Sequence, residues 1–230
     1  MPNSKSKRGE VQNDSPPLSL IQKTADYVRG RFAGEGSGHD WWHVWRVWQN
    51  ARMLAAHENV NSQVVELAAL FHDIADWKFN GGDDSEGPKA ARKWLESLNA
   101  EESVIQHVSE IIQDMSFKGA GVSSTMRTNE GKVVQDADRL DAIGAIGIAR
   151  TFAYGGSRGR EMYNPEIKPG RHETFEHYKK NQGPTINHFY EKLLLLKNLM
   201  NTQTARRMAE ARHQFMEEFL RRFFQEWEGK

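Results

Sequence analysis

Apolar residues recur every three or four positions in one stretch after another of this chain, and nowhere do they alternate with polar residues for long enough to make a sheet. Such spacing fits amphipathic helices, so the fold class expected is all-α. Ile21, Ala25, Val28 and Phe32 give the first stripe, over about Leu18 to Phe32, and Gly34, Gly36 and Gly38 end it. His43, Val47, Asn50 and Leu54 give the second, with Asp40 as its N-cap. The third runs through Val64, Leu67, Ala68 and Phe71 into His72 and Asp73. A fourth follows Pro88, and a fifth carries Val104, Val108, Ile111, Ile112 and Met115. The sixth spans Lys132 to Ile148, after which Tyr154 to Arg171 reads as irregular and rich in Gly, Pro and Arg. Two amphipathic helices close the chain, from Pro184 to about Leu199 and from about Thr204 to Trp227. The last has Ala205, Met208, Arg212, Phe215, Phe219, Phe223 and Trp227 along one side.

A chain of 230 residues buries a core without staples. It has no cysteine, which excludes a thiolate nucleophile, a disulfide framework and cysteine-ligated zinc, and leaves any metal to His and carboxylates. Lys plus Arg and Asp plus Glu are both 31, so overall charge makes no case for a nucleic-acid or membrane partner. The first ten residues lack the apolar core of a secretory signal, and no later run is apolar enough to span a bilayer, so a cytoplasmic location is expected. Residues 1–17 read as a disordered tail, 18–155 as a helical core, and 156–230 as a loop and C-terminal helices that complete or cap the same domain.

Two helical faces carry polar groups where apolar ones belong. On the second, His43 points inward beside aliphatic neighbours and needs a partner. On the sixth, Val134, Ala137, Asp138, Asp141, Ala145 and Ile148 share a side, which aims two carboxylates at the core without choosing between them. Buried carboxylates call for a cation. With the adjacent pair His72 and Asp73, these side chains make a mixed nitrogen and oxygen set suited to a divalent first-row metal.

The order His…His-Asp…Asp is the signature of the HD-domain metal-dependent phosphohydrolases, and this chain resembles them. The wording is close in Gly-His-Asp-Trp-Trp-His-Val-Trp-Arg-Val, Ala-Leu-Phe-His-Asp-Ile-Ala-Asp, Asp-Ala-Asp-Arg-Leu-Asp-Ala-Ile-Gly-Ala and Ile-Asn-His-Phe-Tyr-Glu-Lys-Leu, which look like a small stand-alone bacterial branch. The likeness runs over roughly residues 20–227. It implies an HD-domain helical bundle with additional C-terminal helices packed on it. It also implies one divalent metal ion (Mn, Mg, Co, Ni, Fe or Zn, with Mn favoured) held by His43, His72, Asp73 and Asp138. The choice of His43 over His39 follows the family's spacing before Arg46-Val47, and that of Asp138 follows its Asp-x-Leu-x-Ala pattern. With only His107 between Asp73 and Asp138, the site reads as mononuclear.

By the same resemblance, water activated at the metal attacks a phosphorus atom, and Asp76 is the catalytic acid or base that orients the water or protonates the leaving group. Asp stands there where relatives carry Glu. Arg46, one turn from His43, is the favoured phosphate donor. Lys118 and Lys192 follow, with Lys78 and Arg139 behind, and His39 and Asp141 either orient ligands or bind substrate. The expected partner is a phosphorylated small molecule, a nucleotide above all, on a chain compatible with homo-oligomers. The finer expectation is a (deoxy)nucleoside triphosphate pyrophosphohydrolase. The alternatives are a nucleoside monophosphatase or phosphodiesterase, and, in a different class, a non-catalytic nucleotide sensor. The clustered tryptophans are assigned to packing before nucleic-acid stacking, and the basic pairs Arg206-Arg207 and Arg221-Arg222 are interleaved with Glu210, Glu217 and Glu218.

Overall fold

The computed structural model describes residues 18–32, 40–74, 85–115, 126–170 and 183–230. Every regular element among them is a helix, as the apolar spacing requires. In chain order these are α1 (Leu20–Arg31), α2 (Trp41–Ala55), α3 (Ser62–Phe71), α4 (Glu86–Ser97), α5 (Glu102–Met115), α6 (Asn129–Asp141), α7 (Gly144–Ser157), α8 (Asn187–Glu191), a 3₁₀ helix (Leu193–Leu199) and α9 (Gln203–Trp227). Local chemistry sets the starts. The side chains of Ser19, Asp40, Asn61, Thr128 and Thr202 accept from backbone N–H groups of the first turns of α1, α2, α3, α6 and α9.

The middle of the fold is α3. Its Val64, Val65, Leu67, Ala68, Ala69, Leu70 and Phe71 are all buried, so it is apolar around its circumference and needs neighbours on every side. It gets them from α1, α2, α5 and α6, while α2 and α6 also pack against each other. The carboxyl end of α3 therefore opens between α2 and α6. At the other end of the chain α9 packs on α6, α7 and the 3₁₀ helix. Asp136, fully buried on α6, accepts from the backbone N–H groups of Asn201 (2.8 Å) and Thr202 (2.7 Å), which ties the start of α9 to α6.

Four expectations change. The sixth helix is not continuous from Lys132 to Ile148: α6 stops at Asp141 and α7 begins at Gly144, whose φ of +77° is left-handed and favours glycine. Gly147 lets the new helix approach the carbonyl of Ala142, where a Cβ would lie 2.2 Å from the oxygen. The helix expected from Pro184 to Leu199 is broken at Lys192 (φ −142°, ψ −58°) into α8 and the 3₁₀ helix, with Leu193 and Leu196 buried at the spacing of three that a 3₁₀ turn favours. On α9 the buried line is Ala205, Ala209, His213, Met216 and Leu220, while Phe215 and Trp227 are each 52% exposed. Finally, Trp42 and Trp45 do not pack into the core. They are exposed and meet edge to face with ring centroids 6.2 Å apart, whereas Trp48 is half-buried and donates to Glu66.

Candidate metal centre

Three helix ends deliver the site. The Asp40 cap fixes the first turn of α2 by accepting from His43 N–H at 2.9 Å, and the His43 ring, 1% exposed, turns toward the end of α3. There the helix stops, and the His72 ring folds back so that Nδ1 lies 2.8 Å from the carbonyl of Ala69. Asp73 follows directly.

The polar atoms converge. His43 Nε2 is 3.1 Å from His72 Nε2 and 3.3 Å from Asp73 Oδ2, and His72 Nε2 is 3.5 Å from that same oxygen. These three residues form the tight group, and Asp138 approaches from α6 with Oδ1 3.6 Å from His43 Nε2 and its side chain 40% exposed. Solvent therefore reaches the cluster on the Asp138 side.

The proton positions follow from the partners. His72 Nδ1 faces a carbonyl, which only accepts, so that nitrogen carries the hydrogen. His43 Nδ1 is 2.7 Å from Asp141 Oδ2 and is a donor for the same reason. As neutral rings, His43 presents an Nε2 lone pair to His72, Asp73 and Asp138, and His72 presents one to His43 and Asp73, with no donor among these groups. A cation is needed. Metal bonds of about 2.0–2.2 Å put neighbouring donors roughly 3.0 Å apart at right angles and roughly 3.4 Å at tetrahedral angles. The separations among His43, His72 and Asp73, 3.1 to 3.5 Å, run from within that range to just above it, so these three donors fit a divalent metal ion, with Asp138 3.6 Å from His43 on the open side. Without a metal, a proton on His43 takes its place. Burial pulls the His43 pKa down, but hydrogen bonds to Asp141 and Asp73 outweigh it and raise it from 6.5 to about 9.

Asp141 holds this arrangement from behind. It is 2% exposed and accepts from Arg46 Nε (2.6 Å) and Nη2 (3.1 Å) and from Arg150 Nη1 (2.7 Å), besides His43. Burial alone would raise its pKa, but His43 and the guanidiniums keep it well below the ordinary carboxylate range. Both Asp141 oxygens are engaged within the protein, so of its two expected roles the geometry favours orienting His43 over binding substrate. Arg46, expected as a phosphate donor, places two of its nitrogens on Asp141, where a buried carboxylate demands them.

Lys192 stands at the break between α8 and the 3₁₀ helix. Arg139 bonds the carbonyl of Leu199 and serves the C-terminal packing. His39, Asp76, Lys78 and Lys118 lie outside the described residues. Arg150 was not singled out by the sequence, because a continuous sixth helix would carry a residue nine places after Asp141 roughly 13 Å along its axis. The turn at Gly144 folds α7 back and closes the gap to 2.7 Å.

The HD domain family matches residues 41–143, a span that contains all four converging side chains. Bacillus subtilis YpgQ is 36% identical over 212 residues, which cover 89% of this chain and 92% of that protein. The chain belongs to the HD-domain superfamily of metal-dependent hydrolases. Among solved HD structures, a Bacillus thuringiensis HD-superfamily hydrolase is 45% identical and superposes with a TM-score of 0.73, covering 91% of this chain and 97% of its own. The structure of B. subtilis YpgQ in complex with ADP is 37% identical, with a TM-score of 0.69 over 88% of this chain and 97% of that one.

Proposed function

We propose that this HD hydrolase is a nucleotide phosphohydrolase, and specifically one that acts on (deoxy)nucleoside triphosphates and releases pyrophosphate. His43, His72, Asp73 and Asp138 hold its single divalent ion, with manganese favoured. The observation that carries the reading is the meeting of the His43 and His72 Nε2 lone pairs with the Asp73 carboxylate at spacings close to those a metal would impose, with Asp138 beside His43. The nucleotide part is supported by the relative YpgQ, whose structure holds ADP.

A divalent ion so held supplies Lewis-acid polarisation of a phosphoryl oxygen and an activated water. The chain's own groups prepare for this. Asp141 keeps the His43 proton on Nδ1, and the Ala69 carbonyl does the same for His72, so both rings meet the ion as neutral ligands. Arg46 and Arg150 keep Asp141 ionised and in place. Asp138, partly exposed, leaves a side of the cluster where a phosphate can enter. Asp76, three residues after Asp73, is assigned the proton transfers to and from water and leaving group.

The test is turnover by metal-stripped protein reloaded with Mn²⁺, Mg²⁺, Co²⁺, Ni²⁺ or Zn²⁺ and given nucleoside tri-, di- and monophosphates, with phosphate and pyrophosphate resolved as products. The reading predicts pyrophosphate from a triphosphate. Release of orthophosphate alone would refute the pyrophosphohydrolase assignment, and no turnover in any pairing, with metal bound, would refute the nucleotide hydrolase. Asp76→Ala should keep the metal and lose about two orders of magnitude or more in kcat.

A further inference from the structure

Trp42 and Trp45 are rings that the core leaves unused. The other tryptophans among the described residues are committed to partners inside the protein. Trp94 stacks on Tyr27 with ring centroids 3.9 Å apart and donates to Thr24, Trp48 donates to Glu66, Trp41 packs half-buried against the core, and Trp227 stacks on Phe223 at 6.1 Å. Trp42 and Trp45 are 57% and 40% exposed, and among the described residues each meets no aromatic ring but the other, edge to face at 75°. Neither indole N–H has an acceptor among the described residues. Two solvated indoles held at a fixed angle mark a surface that a ligand covers.

Their place on α2 ties them to the metal centre. Trp42 directly precedes His43, and it is four residues from Arg46, so Trp42 and Arg46 are neighbours on one side of the helix. Arg46 bonds Asp141, which bonds His43 Nδ1. Trp42 is therefore the nearer ring, about 100° round the helix from His43, and its distance from the ligand nitrogen is on the order of 10 Å for a helix about 10–12 Å across with its side chains. Trp45 stands behind it. Side chains lean toward the start of a helix, so Trp45 leans over the first turn and braces Trp42 from the outer side. A nucleotide whose phosphates meet the metal has the length to bring its base to Trp42.

We infer that Trp42, braced edge-on by Trp45, is the surface on which the base of the nucleotide stacks. Stacking needs only a π-face, which every base has and an inorganic polyphosphate or sugar phosphate lacks. The metal ligands and their partners meet phosphate; the tryptophans meet the part that makes the substrate a nucleotide. The inference rests on the nucleotide phosphohydrolase reading and deepens it by naming the contact that selects a nucleotide.

The probes are ADP and inorganic pyrophosphate, which differ by the adenosine. They are titrated calorimetrically, with Mn²⁺ present, into the full chain and into Trp42→Leu/Trp45→Leu and Trp42→Phe/Trp45→Phe double variants. The leucine variant should bind ADP about tenfold or more weakly than the wild type and pyrophosphate within about twofold, and the phenylalanine variant should recover most of the ADP affinity. Both should keep the wild-type thermal midpoint and metal content, since the rings are exposed, and Trp42→Leu alone repeats the test if the double variant does not fold. ADP affinity that is unchanged in the leucine variants, or lost equally with that of pyrophosphate, overturns the stacking surface, as does a wild type that does not bind ADP. A changed oligomeric state with ADP affinity unchanged assigns the rings to a second copy of the chain and overturns it too. If ADP binding depends on Trp42 but no nucleoside triphosphate is hydrolysed, the activity proposed above falls and the surface stands. If triphosphates are hydrolysed and the leucine variant binds ADP as the wild type does, the surface falls and the activity stands.

Discussion

His43 has no freedom of tautomer once Asp141 accepts from its Nδ1, and this one contact decides which nitrogen faces His72, Asp73 and Asp138. Asp141→Asn keeps the shape but removes the charge that holds Arg46 and Arg150. Loss of such an outer partner typically lowers metal affinity about 10–100-fold, and competition with a chelating dye would measure it. An unchanged affinity would mean that Asp141 does not position His43. A pH dependence follows from the same cluster. With the His43 pKa raised from 6.5 to about 9, its proton stabilises the metal-free fold fully below about pH 6.5, and that contribution is lost as pH rises through about 9. The thermal midpoint in chelator should therefore fall across this window, and bound metal should remove the slope. At this scale the helical stripe showed two acids on one side of the sixth helix without dividing their roles, and the choice of Asp138 as ligand came from the family pattern. Asp138 and Asp141 are three residues apart on one stripe, and the fold shows that one meets His43 at Nε2 and the other at Nδ1.

The break between α6 and α7 is the element on which Arg150 depends. Gly144 sits at φ +77°, and a Cβ there would lie 3.0 Å from Arg212 Cγ. Gly144→Ala should cost about 1–2 kcal/mol in chemical denaturation, from the left-handed backbone alone. Gly156→Ala is the control. It lies on the same helix with nothing within 4 Å of its Cβ position, and it should be neutral or stabilising by about 0.5–1 kcal/mol. Equal effects of the two would remove the claim that the left-handed turn is required. The periodicity of Lys132 to Ile148 hid this break because Val134, Ala137, Asp141, Ala145 and Ile148 continue a helical stripe in number, although Ala145 ends exposed. A backbone reversal carried by one glycine leaves no mark on apolar spacing.

Across the whole molecule, the metal cluster and the C-terminal helix share α6 as a common wall. Asp136 faces Asn201 and Thr202 just before that helix, Arg212 reaches back from α9 to the carbonyl of Leu140, and Asp141 lies one residue further on. Asp136→Ala would strip the start of α9 of its acceptor and should destabilise the fold by about 2–4 kcal/mol in urea denaturation. An effect below about 0.5 kcal/mol would show that α9 docks without it. The all-α class and the HD family were legible because long amphipathic stripes and a short ordered motif survive in sequence alone. The seating of α9 was not, since its buried line runs through two alanines and His213, which carry little apolar signal, while exposed Phe215 carries much. The central claim is that side chains from the end of α3, from α2 and from α6 hold one metal ion, and metal content after manganese reloading and dialysis tests it most directly. One equivalent per chain in the wild type and in Asp76→Ala, with loss in His43→Ala, His72→Ala and Asp73→Ala, is the predicted result. Full manganese occupancy in Asp73→Ala would contradict it.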